Sequence, residues 1–178
     1  MPQRGFTLIE IIVIIGIITL LTSLLLLYSR GGERQILLLR EKAKVISAVL
    51  RAKAMAINTV IEAQPACGFG VHFEERRYFI YRDSALDPRD CFAISDHRRY
   101  SGEASGEILA SEIFPLDPAL RFSGLPIGDV FFQPPQPRVF FDGEEPVSLR
   151  EARLTLATLD NNSQASIIIN DAGQITAE

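Results

Sequence analysis

The chain has no tryptophan, only two histidines and two cysteines, and more acid than base: 22 Asp+Glu against 18 Lys+Arg in 178 residues. Each shortage excludes something. His72 and His97 show no ligand spacing to the cysteines, so no metal site is expected. There is no glycine-rich phosphate loop, no G-x-S-x-G nucleophile elbow and no EF-hand loop, so neither a cofactor nor an enzymatic reaction is expected. The acid excess gives no support for nucleic acid as a partner, because binders of that kind carry a basic excess. Charged residues are nevertheless ordinary in number and apolar ones abundant, which excludes a disordered chain.

The average conceals a division. Up to Glu62 there are eight basic residues (Arg4, Arg30, Arg34, Arg40, Lys42, Lys44, Arg51 and Lys53) and four acidic ones, Glu10, Glu33, Glu41 and Glu62. Beyond Glu62 there is no lysine, and eighteen acids face ten arginines. A basic first part therefore precedes an acidic remainder.

Within the first part, Ile11–Ser29 is a run without a charge, rich in Ile and Leu. As a helix it would span about 28 Å, close to the ~30 Å hydrocarbon core of a bilayer. A cleavable secretory signal is the competing reading. The run is longer than a usual h-region, no small-x-small cleavage site follows, and apolar residues resume at Ile36. An uncleaved anchor fits better. Glu10 lies at the edge of this run, five residues into a stretch that begins at Phe6. A carboxylate there is costly and a functional candidate, although at the membrane edge it could also snorkel to the headgroups.

Arg4-Gly5-Phe6-Thr7-Leu8-Ile9-Glu10 and the apolar run resemble the class III signal of type IV prepilins and pseudopilins. That resemblance implies prepilin peptidase cleavage between Gly5 and Phe6, N-methylation of Phe6, and a salt bridge from Glu10 to the N-terminal amine of a neighbouring subunit. It also implies a chain in the bacterial cytoplasmic membrane, single-pass, with its head outside the cytoplasm, later drawn into a pilus or pseudopilus. The implied partners are other pilin or pseudopilin subunits, the prepilin peptidase, an inner-membrane assembly platform and membrane lipid. Many pilins have a proline within the apolar run; here there is none, and Gly31-Gly32 is the expected place for a bend or local unwinding.

From Ile36 to Ile61 apolar residues keep helical spacing: Leu39, Ala43, Ile46, Val49/Leu50, Ala56/Ile57 and Val60. This stripe is the face expected to hold a sheet, with Arg40, Lys44, Arg51 and Lys53 largely elsewhere. One helix from Phe6 to Ile61 would be roughly 84 Å long.

After Ala63-Gln64-Pro65 the pattern changes to strands. Gly68–Phe73 and Arg76–Arg82 read as a hairpin around Glu74-Glu75. Short strands are expected at Glu107–Phe114, Leu120–Phe122, Asp129–Phe132, Arg138–Phe141, Ala152–Leu159, Ala165–Asn170 and Gln174–Thr176. Prolines between Pro115 and Pro146 keep the middle ones short or at edges. The order of parts resembles the H-type minor pseudopilins of type II secretion and related minor pilins. Outside the cytoplasm, Cys67 and Cys91 are expected to form a disulfide, with two buried free thiols as the alternative. Asn161-Asn162-Ser163 matches a glycosylation sequon, a motif frequent by chance. Arg76-Arg77 and Arg98-Arg99 could make at most a local basic patch.

The expected fold is α+β: a long N-terminal helix, membrane-spanning in its first half, packed on an antiparallel β-sheet head in a pilin-like arrangement. Residues 1–5 form the leader, 6–29 the membrane and assembly helix, 30–62 an amphipathic stalk and 63–178 the extracytoplasmic head. The expected function is that of a structural subunit, a minor pilin or pseudopilin of a type IV pilus, type II secretion pseudopilus or competence filament. The alternative is a single-pass membrane-anchored ligand-binding ectodomain that does not assemble.

Overall fold

The computed structural model describes residues 7–58, 66–84, 91, 98–100, 102, 107–135, 138–144 and 151–177. The layout is α+β and pilin-like, an apolar N-terminal helix followed by antiparallel sheets. The chain divides into two compact units, Met1–Leu37 and Leu38–Glu178. Helix α1, Leu8–Asn58, contributes residues to both.

α1 runs through Gly31-Gly32 without interruption, contrary to the unwinding expected there. Glycine keeps its N–H and C=O, so it can continue the i→i−4 ladder at a conformational cost of about 1 kcal/mol. With helix already formed on both sides, propagation costs less than breaking and renucleating. Residues 59–61, expected to end the helix, lie outside the described residues.

In the second unit β1 (Ala66–Phe73) and β2 (Arg77–Ser84) form the expected hairpin. Its turn is closed by Glu74 N–H donating to Arg77 O at 2.9 Å and by Arg77 donating to both Glu74 carboxylate oxygens at 2.6 and 2.8 Å. The hydrogen bonds from Arg77 hold the Glu74 carboxyl below the usual carboxylate range. With β3 (Glu107–Pro115), β5 (Asp129–Gln133) and β6 (Arg138–Phe141) they make a five-stranded antiparallel sheet ordered β3-β2-β1-β5-β6. A second sheet of four strands is ordered β4-β7-β8-β9: Leu120–Phe122, Glu151–Thr158, Gln164–Asn170 and Ile175–Ala177. The strand positions agree closely with the sequence, but the head is two sheets. The β1–β2 turn joins them, because Glu75 O accepts the β4 N–H of Phe122 at 3.0 Å.

Alternation along the strands buries both faces of the central sheet. One face carries Cys67, Phe79, Tyr81, Cys91, Phe131 and Phe140, with Tyr100 packed against them. The other carries Tyr78, Ile80, Val130 and Phe132, all at most 1% exposed. Tyr81 lies across Gly70, its cross-strand partner, where a Cβ would stand 2.5 Å from the ring. Only glycine allows that approach.

The helix packs with a face that only partly matches the expected stripe: Val49 and Ala56 of that stripe are buried, Ile46 is half-buried, and its other described members are exposed. Leu38, Val45, Ala48, Val49, Ala52 and Ala56 are buried, whereas Leu39, Leu50 and Ile57 are 57, 50 and 47% exposed. The sequence contains two apolar sectors on this part of α1, and the buried one is the richer in alanine and valine. Charge misleads here as well. Glu41, only 2% exposed, lies on the buried side with its carboxylate on Lys44 Nζ at 2.5 Å. Arg51 ties α1 to buried Glu112 of β3 at 2.5 Å, and Lys53 Nζ donates to Gly173 O in the β8–β9 turn at 3.1 Å. One helix thus holds both sheets. Gly173, at φ +67°, packs close to Val139 of β6.

Two measurements check this packing. Val45→Ala should lower stability by about 1–3 kcal/mol and Leu39→Ala by no more than about 0.5 kcal/mol, read from denaturant midpoints of the detergent-solubilised chain. Burial raises the Tyr78 and Tyr81 hydroxyls above the usual tyrosine value. Both groups therefore stabilise the fold below the unfolded tyrosine value near pH 10, and that stability is lost as pH rises above it. In an absorbance titration these two of the four tyrosines should ionise only together with alkaline unfolding.

Candidate assembly site

The first described residue, Thr7, caps α1. Its carbonyl accepts the Glu10 N–H at 3.1 Å and the Ile11 N–H at 3.3 Å, and its Oγ1 lies 3.4 Å from Glu10 N. Thr7-x-x-Glu10 has the spacing of a capping box, so Glu10 occupies the third helical position. A carboxylate there meets the positive end of the helix dipole. Its neighbours in sequence are entirely apolar, and Glu10 itself is exposed.

From Leu8 to Leu25 the mean hydropathy is 2.7 and no residue is buried. Thirteen large aliphatic side chains are exposed between Leu8 and Leu25. Moving each out of water is worth about 1.5–3 kcal/mol, so together they exceed the 5–15 kcal/mol net stability of a whole domain. Such a segment requires lipid or other protein around it. By length and composition it is able to cross a membrane.

Apart from Glu10, its few polar side chains are satisfied within the helix. Thr19 Oγ1 donates to Ile15 O at 3.0 Å or Gly16 O at 2.9 Å, Thr22 to Ile18 O at 2.8 Å, and Ser23 to Leu20 O at 2.9 Å. No hydroxyl therefore needs water, which makes the segment compatible with hydrocarbon.

The remaining sites named from sequence are dispersed. Gly5 and Phe6, the expected cleavage and methylation residues, lie outside the described residues, as does His97. Cys67 and Cys91 are bonded, with Cα atoms 5.0 Å apart. Gln133 Nε2 donates to Cys91 O at 3.0 Å and fixes that residue against β5. His72 is part-buried, its Nδ1 3.0 Å from Asp129 Oδ1 across the β1–β5 ladder and its ring 5.1 Å from those of both Phe79 and Tyr100. That pairing of a strand histidine with a distant aspartate had no local signal in the sequence. Asn161 of the sequon accepts a hydrogen bond from Arg121 at 3.2 Å. Arg77 pairs with Glu74, and Arg98 lies 4.3 Å from the centre of the Phe140 ring. Among the described residues no group of three or more His, Cys, Asp or Glu side chains is placed to hold a metal ion.

Residues 1–26 match the family described as the prokaryotic N-terminal methylation motif. No curated protein and no solved structure matches the chain significantly. The chain therefore carries a type IV pilin-like prepilin signal, the mark of a prepilin peptidase substrate, and the motif belongs to structural proteins rather than catalysts. Joined to the apolar start of α1, it points to membrane anchoring.

The cysteine bond closes a loop with a sequence separation of 24. Replacing both cysteines by serine should cost about 2–4 kcal/mol, measured as the fall in the thermal midpoint of the purified chain.

Proposed function

We propose that the protein is a minor pilin or pseudopilin, a structural subunit of a type IV pilus, a type II secretion pseudopilus or a competence filament. The observation that carries this reading is the conjunction of a prepilin signal over residues 1–26 with a wholly exposed apolar helix and one carboxylate, Glu10, at its start. A simple anchor would need the apolar segment alone.

In this reading a prepilin peptidase cuts between Gly5 and Phe6, and the new amine of Phe6 is methylated. Residues 6–29 span the cytoplasmic membrane once, with the β-rich part outside the cytoplasm. The Cys67–Cys91 bond supports that placement, because oxidised cysteines persist in extracytoplasmic compartments. An assembly platform in the membrane then transfers the helix from lipid into a bundle of neighbouring pilin-type helices. There the Glu10 carboxylate meets the methylated ammonium of Phe6 on an adjacent subunit. Two opposite charges in a poorly solvated bundle each need a partner, so their pairing sets the register at which one helix stops against the next. Apolar packing supplies cohesion without choosing that register.

Mass spectrometry of the membrane-extracted chain should find Phe6 at the N-terminus with one added methyl group; an intact Met1 would favour the non-assembling ectodomain. Glu10→Leu should leave the amount of chain in the membrane fraction unchanged but reduce its recovery in sheared filaments by roughly ten-fold or more, the consequence of losing about 1.4 kcal/mol or more of pairing energy.

A further inference from the structure

Between Leu38 and Asn58 the outward side of α1 is a seam in its own right. Leu39, Ala43, Ser47, Leu50, Ala54 and Ile57 are all exposed. At 100° per residue they fall within a sector about 80° wide. Bulky Leu39, Leu50 and Ile57 alternate along it with small Ala43, Ser47 and Ala54, the arrangement that lets one helix receive the side chains of another.

Both borders of this seam are basic. Arg40, Lys44 and Arg51 follow one edge; Lys42 and Lys53 follow the other. The sole acid of the segment, Glu41, is on the buried side. Two border cations are held in place from behind. Lys44 pairs with Glu41 and Arg51 with Glu112, while their side chains remain 47 and 58% exposed. Lys53 is held by the carbonyl of Gly173. The edges are therefore positioned charges beside a narrow apolar line.

We infer that this seam docks an amphipathic helix with acidic edges, supplied by a different polypeptide. Charge complementarity selects that occupant. A second copy of this chain presenting the same seam would oppose cation to cation along both borders, and edge charges of one sign specify partners of the other. A membrane surface is the other occupant a basic amphipathic helix could take. Helices of that kind spread a broad apolar face and carry aromatic residues on it, whereas this seam is narrow, includes Ser47 and has no aromatic residue. The inference extends beyond the assembly role, which concerns residues 6–29 and Glu10.

The test uses the full chain in non-ionic detergent and a labelled synthetic helix of about three heptads with a Leu/Ala seam and Glu at both edges. Its counterpart has Lys at those edges. Fluorescence anisotropy should show saturable binding of the Glu-edged helix, roughly ten-fold or more tighter than the Lys-edged one and weakening with added salt. Leu50→Glu should abolish binding, and Arg40→Glu should narrow the difference between the two peptides; circular dichroism confirms that both variants keep their helix content. The Glu10→Leu chain should bind as the unaltered chain does, so failure of assembly and failure of docking remain separate results. Equal binding of the two peptides, or no binding of the Glu-edged helix, overturns the inference. So does spontaneous Leu50→Cys crosslinking between copies. Protection of that cysteine from maleimide by vesicles of acidic phospholipid, but not by the peptide, overturns it as well.

Discussion

The second unit depends on the contact that a stripe of short side chains makes with two sheets. Leu38, Val45, Ala48, Val49, Ala52 and Ala56 are all at most 3% exposed. Alanine contributes little apolar area by itself, so most of the large buried side chains in this unit come from the strands. They include Tyr78, Ile80, Val130 and Phe132 of the central sheet and Leu154, Leu156, Ile167 and Ile169 of the second, all at most 1% exposed. Without the helix, each sheet would expose an apolar face. The β1–β2 turn on β4 and the β8–β9 turn beside Val139 join the sheets at two places. α1 reaches one sheet through Arg51 and the other through Lys53.

The two buried carboxylates decide which side of α1 faces inward. Their net contribution to stability is modest, because the loss of hydration offsets most of the attraction to Lys44 and Arg51. Their effect is on orientation. The outward sector is as apolar as the buried one, so hydrophobic burial alone discriminates poorly between them. Turning the helix by about 100°, one residue, would bring Leu39, Leu50 and Ile57 inward. That would overpack a contact built for alanine and take Arg51 away from Glu112, leaving a carboxylate in the interior without its counter-charge. A charge left unpaired in a protein interior costs several kcal/mol. The ion pairs fix rotation where apolarity is ambiguous.

This explains what could be read along the chain and what could not. Strands such as Arg138–Phe141 and the hairpin of Gly68–Phe73 with Arg76–Arg82 are declared locally, by alternation, by turn residues and by proline. The start of α1 is equally local, since Thr7, Glu10 and the apolar run stand together. The buried face of α1 was legible only in part, at Val49 and Ala56, because periodicity reports that a face exists and two faces were present. Choosing between them needs Glu112, more than 60 residues beyond Arg51. The separation into two sheets was hidden for the same reason, as alternation within a strand does not name its neighbours. The pairing of His72 with Asp129 depends on β1 lying beside β5, which only the completed sheet provides.

The N-terminal unit is governed by a different requirement. A helix in hydrocarbon satisfies its own backbone except at its ends, where the first N–H groups have no intrahelical acceptor. Thr7 supplies acceptors for Glu10 and Ile11. By helix geometry the N–H groups of Leu8 and Ile9 still need water, lipid headgroups or another chain. The start of α1 is therefore suited to the edge of a bilayer rather than its centre, and the Glu10 carboxylate can remain hydrated there. Packed among other apolar helices, the same carboxylate would lose that water. Its cost would then depend on whether a cation stands opposite it. Physics thus gives Glu10 two different weights, slight at a membrane edge and large in a bundle. A residue whose cost changes so strongly between two environments is suited to report the passage from one to the other, which a leucine at that position could not do.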